Sequence, residues 1–267
     1  MNLPTDNSIP FSEDFKFPNS GSLLVFEASS YQAWADNYLP QVSSLSPFTG
    51  FDLSQDKDFI QIGDCVLLRR LFETHYLQTH SSFGGLFSSP LKEPIKRRAT
   101  LKLFQGSKLA QVAFSEAVCI PVLAKKNNLK DVWMSLTPME VATCRSGIHR
   151  ANGNVLIAGM GLGWMTRRIL QRKQVKSVTV VEINPDILQF FGSPLKSEFS
   201  QLDLVNQNVW NFLENSSHSF DSYIFDIWGK YGEASDDDRF QHLKNWARKE
   251  NKRIWGWGDV ANTPSSF

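Results

Sequence analysis

Strands and helices alternate through the second half of the chain, and this alternation constrains the fold more than any other feature. Apolar or β-branched runs predict strands over Asn154–Ala158, Ser177–Glu182, Leu202–Asn206, Ser222–Ile227 and Arg253–Trp257. The segments between them have helical spacing and predict helices over Leu162–Lys173, Pro185–Phe191, Val209–Glu214 and Asp236–Lys249. Such alternation builds right-handed βαβ units on a parallel sheet. We expect a sheet with strand order 3-2-1-4-5.

The first half of the chain has a less regular pattern. The stretch Gly21–Trp34 predicts a strand that leads into a short helix, and Asp64–His80 has the apolar spacing of a helix. Glycine, serine and proline cluster in Ser81–Pro94, which predicts a loop. Two alternating runs in Thr100–Ala117 predict a hairpin. We therefore expect a small α+β region before the parallel sheet.

Three glycines at alternate positions follow the first strand of the predicted sheet: Gly159, Gly161 and Gly163. Ligands of parallel α/β sheets bind outside the carboxyl ends of the strands, where this turn lies. A P-loop is excluded, because no Lys-Ser or Lys-Thr pair follows the glycines. A dinucleotide turn needs GxGxxG, but its third glycine is replaced here by Trp164 or Thr166. The GxGxG spacing instead suits S-adenosylmethionine, which has no diphosphate to hold.

Glu182 ends the second predicted strand and is placed to accept hydrogen bonds from both hydroxyls of a ribose. An acidic residue about 20 positions after a glycine turn also fits NAD. The glycine spacing, and not this carboxylate, therefore distinguishes the two cofactors.

Composition excludes several other classes. Hydrophobic residues make up 42% of the 267 residues, and the formal net charge of +1 gives no overall attraction to nucleic acid or an anionic membrane. The three cysteines are scattered and form no CxxC pair, which argues against a zinc knuckle or a disulfide framework. The start of the sequence lacks the features of a signal peptide, and no apolar run approaches the roughly 18 residues of a membrane span. We expect a cytoplasmic protein without a membrane partner.

Four segments, "VLIAGMGLGW", "VTVVEINPDIL", "NQNVWNFLE" and "FDSYIFDIW", together resemble the core of class I S-adenosylmethionine-dependent methyltransferases. The resemblance is to the spermidine synthase-like branch and covers about Leu136 to Asp259. It implies an α/β fold with a Rossmann-like class I sheet, either truncated after strand 5 or completed at its edge by the first half. The implied domains are an N-terminal α+β region over residues 1–130 and an S-adenosylmethionine-binding domain over 131–267.

The resemblance also implies roles for individual residues. The three glycines would line the methionine side of the cofactor, Glu182 would bind the ribose, and Ile183 would pack against adenine. Asn208 stands where the family often has an aspartate that reads the adenine amino group. Asp226 ends the fourth strand near the reacting sulfonium and is the candidate catalytic residue.

The expected reaction is methyl transfer from S-adenosylmethionine to a small-molecule acceptor, with Asp226 orienting or deprotonating the acceptor. The alternatives are a spermidine synthase-like aminopropyltransferase, a non-catalytic S-adenosylmethionine-binding protein and a dinucleotide-dependent enzyme. The spermidine synthase-like branch carries a "DSxDP"-like stretch after its fourth strand, whereas "IWGKYGE" follows Asp226 here. This difference argues against polyamine synthesis.

The sequence also gives expectations about metal binding, nucleic-acid binding and oligomeric state. An aspartate on the fourth strand and an Asp-Asn pair after the next strand hold magnesium in catechol O-methyltransferase-like enzymes. Here Asp259 is followed by Val260, with Asn262 further on. This broken match predicts no metal site. We also expect a small-molecule acceptor rather than nucleic acid, and a possible homodimer.

Overall fold

The computed structural model describes residues 23–48, 58–72, 76–79, 88–90, 111–114, 116–215, 219–229 and 232–259. The chain divides into two compact units. The N-terminal unit ends at Ala142 and the C-terminal unit begins at Thr143, within one continuous helix. The division into an N-terminal domain over residues 1–130 and a C-terminal domain over residues 131–267 stays a prediction.

The described residues of the N-terminal unit form two four-stranded sheets and two helices, besides the start of the helix that it shares with the second unit. Its elements are β1 (Leu23–Phe26), α1 (Ala28–Tyr38), α2 (Pro40–Ser43), β2 (Ile60–Ile62), β3 (Cys65–Phe72), β4 (Tyr76–Thr79), β5 (Ser88–Pro90), β6 (Gln111–Phe114), β7 (Val118–Lys125) and β8 (Asn128–Ser135). One sheet has the order β1-β6-β4-β5 and the other the order β2-β3-β7-β8. The second sheet is antiparallel throughout. The expected α+β character of this region is confirmed.

Some local predictions for this region are wrong. The helix predicted over Asp64–His80 is replaced by β3 and β4, and β3 pairs with a strand on each side. Its first four residues are all buried, so the apolar run reflects burial in a sheet and not one face of a helix. The loop predicted over Ser81–Pro94 contains the short strand β5, and its other residues lie outside the described ones. Most of the hairpin predicted over Thr100–Ala117 also lies outside them.

The C-terminal unit carries the alternating half of the chain. Its elements, counted from the helix that it shares with the first unit, are α3 (Pro138–Arg150), β9 (Gly153–Ala158), α4 (Trp164–Leu170), β10 (Val175–Glu182), α5 (Pro185–Ile187), a π-helical turn (Leu188–Gly192), α6 (Ser193–Glu198), β11 (Leu202–Asn206), α7 (Val209–Asn215), β12 (Ser222–Phe225), α8 (Glu233–Asp236), α9 (Asp238–Lys249) and β13 (Arg253–Gly256).

These strands form a five-stranded parallel sheet with the order β11-β10-β9-β12-β13. When the strands are numbered from β9 as strand 1, this order is 3-2-1-4-5. The predicted topology and the Rossmann-like α/β fold are therefore confirmed. Among the described residues, no strand of the N-terminal unit joins this sheet. The fold therefore brings the carboxyl ends of β10, β9 and β12 side by side.

An aromatic cluster packs at the end of β12. The ring of Phe225 stacks with Trp210 at a centroid distance of 5.3 Å and with Trp228 at 6.1 Å, and Phe240 lies 5.4 Å away. Phe225 and Phe240 are fully buried. This cluster forms part of the buried apolar core at the end of β12, directly before Asp226 in the chain.

In the part of the chain that the structure describes, every helix is too short or too polar to cross a membrane. The cytoplasmic location stays a prediction.

Candidate functional site

The predicted site residues follow neighbouring strands of the parallel sheet. The glycine turn follows β9, Glu182 is the last residue of β10, and Asp226 comes directly after β12. Since β9 pairs with both β10 and β12, all three groups lie at one edge of the sheet. Asn208 follows β11, which pairs with the other side of β10. The topology thus gathers these residues around the carboxyl ends of the central strands.

The glycine turn has a backbone that favours glycine at all three positions. The φ angles are +93° at Gly159, +51° at Gly161 and +76° at Gly163, in the left-handed region that side chains rarely adopt. A Cβ atom on Gly159 would collide with the backbone carbonyl oxygen of Asp226. One on Gly163 would lie 3.2 Å from a methyl carbon of Leu195. The fold itself therefore requires Gly159, a role that the sequence pattern had not indicated.

Glu182 ties the glycine turn to the end of β10. Its carboxylate is buried, and Oε2 accepts a hydrogen bond of 2.8 Å from the backbone N–H of Met160, inside the turn. Oε1 accepts one of 2.8 Å from the backbone N–H of Asn184. Each oxygen keeps a second lone pair, so contact with a ribose hydroxyl remains chemically open. The ribose contact stays a prediction, while the bond to the turn is an additional structural role.

Two exposed isoleucines follow the strands on either side of the glycine turn. Ile183 comes after β10 and is 63% exposed, and Ile227 comes after Asp226 and is 39% exposed. The side chain of Ile227 lies 3.4 Å from the position that a Cβ of Gly159 would take. Exposed aliphatic groups at a strand edge suit the apolar face of a ligand. Sequence analysis singled out Ile183 and missed Ile227, although its place after Asp226 was a usable signal.

Asn208 begins the helix that follows β11. Its Oδ1 accepts a hydrogen bond of 2.9 Å from the backbone N–H of Trp210, and its backbone carbonyl accepts one from Phe212. The side-chain oxygen that could read an adenine amino group is therefore already a helix cap. The neighbouring Asn206, which the sequence did not single out, donates from Nδ2 to the backbone carbonyls of Glu182 and Ile183.

Asp226 has the electrostatics of a proton-transfer group. It is half-buried, and burial followed by the charge of Glu182 raises the pKa of its carboxyl group from 3.8 to about 7. Its backbone N–H donates to the carbonyl of Ala158, which fixes the residue at the strand end. Within the described residues, no hydrogen bond stabilises its carboxylate. Such a group can exchange a proton near neutral pH.

The other acidic residues that the sequence drew attention to have structural partners. The Asp259 carboxylate is buried and accepts a 2.5 Å ion-pair bond from Nζ of Lys244, and Ser235 donates to it at 3.2 Å. Asp237 caps α9, because its carboxylate accepts hydrogen bonds from the backbone N–H groups of Arg239 and Phe240. Among the described residues, no three His, Cys, Asp or Glu side chains are grouped to hold a metal. The absence of a metal stays a prediction.

The part of the chain that contains this edge of the sheet is similar to known proteins. Residues 139–251, which contain the glycine turn, Glu182, Asn208 and Asp226, match the spermine/spermidine synthase domain. A polyamine aminopropyltransferase of Buchnera aphidicola subsp. Schizaphis graminum (strain Sg) is 33% identical over 106 residues, covering 36% of this chain and 37% of that protein.

Two further relatives carry the same description. The polyamine aminopropyltransferase of Sulfurisphaera tokodaii is 26% identical over 117 residues, covering 42% of this chain and 38% of the relative. That of Erwinia tasmaniensis is 26% identical over 164 residues, covering 58% and 54%. The chain thus spans about half or less of the length of these relatives.

Solved structures align with part of the chain. Spermidine synthase from Thermotoga maritima aligns at 15% identity with a TM-score of 0.29, over 40% of this chain and 43% of that one. The 23S rRNA methyltransferase ErmE aligns at 22% identity with a TM-score of 0.29, over 42% and 41%. Alignments at this level do not distinguish one transferred group from another.

The comparisons correct two predictions. The domain match and the relatives name aminopropyl transfer, so the prediction of a methyltransferase is wrong, whereas the broader prediction of a transferase agrees with them. The prediction of S-adenosylmethionine as methyl donor is wrong for the same reason, because the spermidine synthase family takes its aminopropyl group from the decarboxylated form. The error arose from giving one segment, "IWGKYGE" after Asp226, more weight than the four segments that resemble the spermidine synthase-like branch.

Proposed function

We propose that the C-terminal unit catalyses aminopropyl transfer from decarboxylated S-adenosylmethionine to a small amine. The spermine/spermidine synthase match supports this proposal, because it runs through the glycine turn, the end of β10 and the end of β12. The three relatives described as polyamine aminopropyltransferases support the same reaction and a small-molecule acceptor.

The observation that carries the proposal is the Asp226 carboxyl group, whose pKa is raised to about 7 at the carboxyl edge of the sheet. An acceptor amine must be neutral at nitrogen before it can attack. In the proposed step its lone pair forms a bond to the carbon next to the sulfonium, and the carbon–sulfur bond breaks. Methylthioadenosine leaves as a neutral thioether. Asp226 takes the proton that the nitrogen loses, so charge and atoms balance.

The donor fits the residues around the glycine turn. The turn has side-chain-free backbone at three positions, which allows close approach of a ligand. Glu182 has a lone pair left on each carboxylate oxygen for the ribose, and the exposed side chain of Ile183 offers an apolar surface to adenine. With Asp226 nearby, the edge carries two carboxylates, which favours a donor that is cationic at sulfur and at its terminal ammonium.

The acceptor side combines one carboxyl group with apolar surface. Ile227 is exposed next to the glycine turn, and Asp226 precedes it. A linear amine has this character, with a reactive nitrogen on a chain of methylene groups. The acceptor is therefore proposed as a linear di- or triamine whose attacking nitrogen is held by Asp226 and whose chain lies on Ile227.

The test is turnover with a defined donor. Purified protein is incubated with decarboxylated S-adenosylmethionine and a panel of linear di- and triamines, and methylthioadenosine is measured by chromatography with mass detection. We expect methylthioadenosine only when an amine is present, and a loss of about 10²–10⁴-fold in kcat for Asp226→Asn, as for a positioned acid–base group. Amine-independent release, or full turnover by Asp226→Asn, would contradict the proposal.

A further inference from the structure

A concave surface lies at the edge of the parallel sheet opposite the candidate site, where the strands begin. It is an open pocket of about 400 Å³. Three elements of the C-terminal unit line it: the end of α3, the second half of α9 and the start of β13. The lining residues are His149, Arg150, Lys244, Arg248, Lys252, Arg253 and Ile254. We call this surface the basic pocket.

Cations exceed carboxylates in the basic pocket. Five of its seven lining residues are lysine or arginine. Two of these cations have carboxylate partners: Lys244 pairs with Asp259 at 2.5 Å, and Lys252 lies 3.7 Å from Asp221. Within the described part of the chain, the guanidinium groups of Arg248 and Arg253 form no ion pair. The pocket therefore keeps an uncompensated positive charge.

Backbone hydrogen bonds fix part of this surface without removing its charge. Nη1 of Arg150 donates to the carbonyl of Ile254 at 3.0 Å, and Nη1 of Arg253 donates to the carbonyl of Arg150 at 3.4 Å. These two bonds join the end of α3 to β13. A carbonyl acceptor carries only a partial charge, so both guanidinium groups keep their formal charge, and that of Arg253 keeps further N–H donors for a ligand.

Helix dipoles alone do not account for the arrangement. Basic residues are favoured near helix C-termini, and both α3 and α9 end at this edge. That preference applies equally to Lys249, the last residue of α9, which is exposed and does not line the pocket. The convergence of cations from three elements on one concavity is a separate feature, and it is what an anion site requires.

We infer that the basic pocket binds a small anion that carries two or more phosphate groups. Guanidinium groups present paired N–H donors that match phosphate oxygens, and the volume lies in the range of small-ligand sites. The compact pocket and a net charge of only +1 favour a small ligand over an extended nucleic acid. This inference does not depend on the proposed aminopropyl transfer.

The test is calorimetric titration of the full chain with inorganic pyrophosphate and, separately, with inorganic phosphate. We expect pyrophosphate to bind at least about tenfold more tightly, because it can engage more of the cations at once. Arg248→Gln should weaken pyrophosphate binding by about tenfold. The matched control is Lys249→Gln, which removes the same charge one residue further along α9 and should change the affinity less than about twofold.

Three results would overturn the inference. The first is no binding of pyrophosphate at millimolar concentration. The second is an equal loss in Arg248→Gln and Lys249→Gln, which would show only general attraction to a basic surface. The third is binding of a short DNA duplex that is weakened by Arg248→Gln and that pyrophosphate fails to displace, which would assign the surface to nucleic acid. Circular dichroism of each variant establishes that the exposed substitutions leave the fold unchanged.

Discussion

Replacing Asp226 with asparagine separates the stability of the C-terminal unit from its proposed activity. The substitution keeps the shape of the side chain and removes its ionisation. Burial and the charge of Glu182 both oppose the ionised carboxylate in the folded protein. We therefore expect Asp226→Asn to stabilise the fold at neutral and higher pH while it lowers turnover.

The magnitude follows from the raised pKa. One pKa unit corresponds to about 1.4 kcal/mol, so a rise from 3.8 to about 7 places about 4 kcal/mol of destabilisation on the folded state above pH 7. Below about pH 4 the carboxyl group is protonated in both folded and unfolded chains, and no such difference exists. Between these limits the unfolded chain loses the proton while the folded protein keeps it, so stability falls as pH rises.

The assay is urea unfolding followed by tryptophan fluorescence at pH 5 and pH 8. The free energy of unfolding of Asp226→Asn should exceed that of the original chain by about 3 kcal/mol more at pH 8 than at pH 5. Most of the titration of Asp226 falls in this interval. The control is Asp186→Asn, which removes an exposed carboxylate at the start of α5 and should leave the pH dependence unchanged.

The reasoning would be refuted if the original chain and Asp226→Asn had parallel stability curves from pH 5 to pH 8. That result would mean that Asp226 ionises at its usual pH and is unsuited to take a proton from an amine near neutrality.

Three further substitutions test other parts of the C-terminal unit. Glu182→Gln should cost about 1–3 kcal/mol of unfolding free energy, because an amide N–H₂ would face a backbone N–H donor. It should also shift the pH–rate midpoint set by Asp226 downward, and an unmoved midpoint would contradict the electrostatic coupling. Gly159→Ala should cost about 1–3 kcal/mol in urea unfolding, whereas Gly229→Ala, where a Cβ meets no atom within 4 Å, should be near neutral; equal effects would refute the steric account. Lys244→Met should cost about 3–5 kcal/mol by leaving its buried aspartate partner uncompensated, and a cost below about 1 kcal/mol would contradict that pairing.

The parallel sheet was predictable because its strands are short apolar runs that turn-forming residues interrupt. Leu202–Asn206 was predicted with the bounds that the structure has, and the other strands of this sheet differ by a few residues at their ends. The helix predicted over Leu162–Lys173 contracts to Trp164–Leu170, since propensity continues past the point where the backbone turns. In the N-terminal unit, β3 was mistaken for a helix, because a short apolar run has no periodicity that distinguishes the two.

Properties that depend on two strands at once could not be predicted. The raised pKa of Asp226 needs the burial of its carboxyl group in the folded protein and the charge of Glu182 from β10. The requirement for Gly159 comes from the Asp226 carbonyl, which is far away in sequence. The basic pocket also combines residues about a hundred positions apart, such as Arg150 and Arg253. The sequence contains each of these residues but does not show which residues lie next to it in the folded protein.

The most direct test of the central claim is to let the protein choose between two donors. An equal mixture of S-adenosylmethionine and decarboxylated S-adenosylmethionine is supplied with a linear diamine, and the mass of the diamine product and the released nucleoside are measured. The account predicts that the diamine gains an aminopropyl group, that methylthioadenosine accumulates, and that Asp226→Asn suppresses both. A diamine that gains a methyl group, with S-adenosylhomocysteine as the released nucleoside, would contradict it.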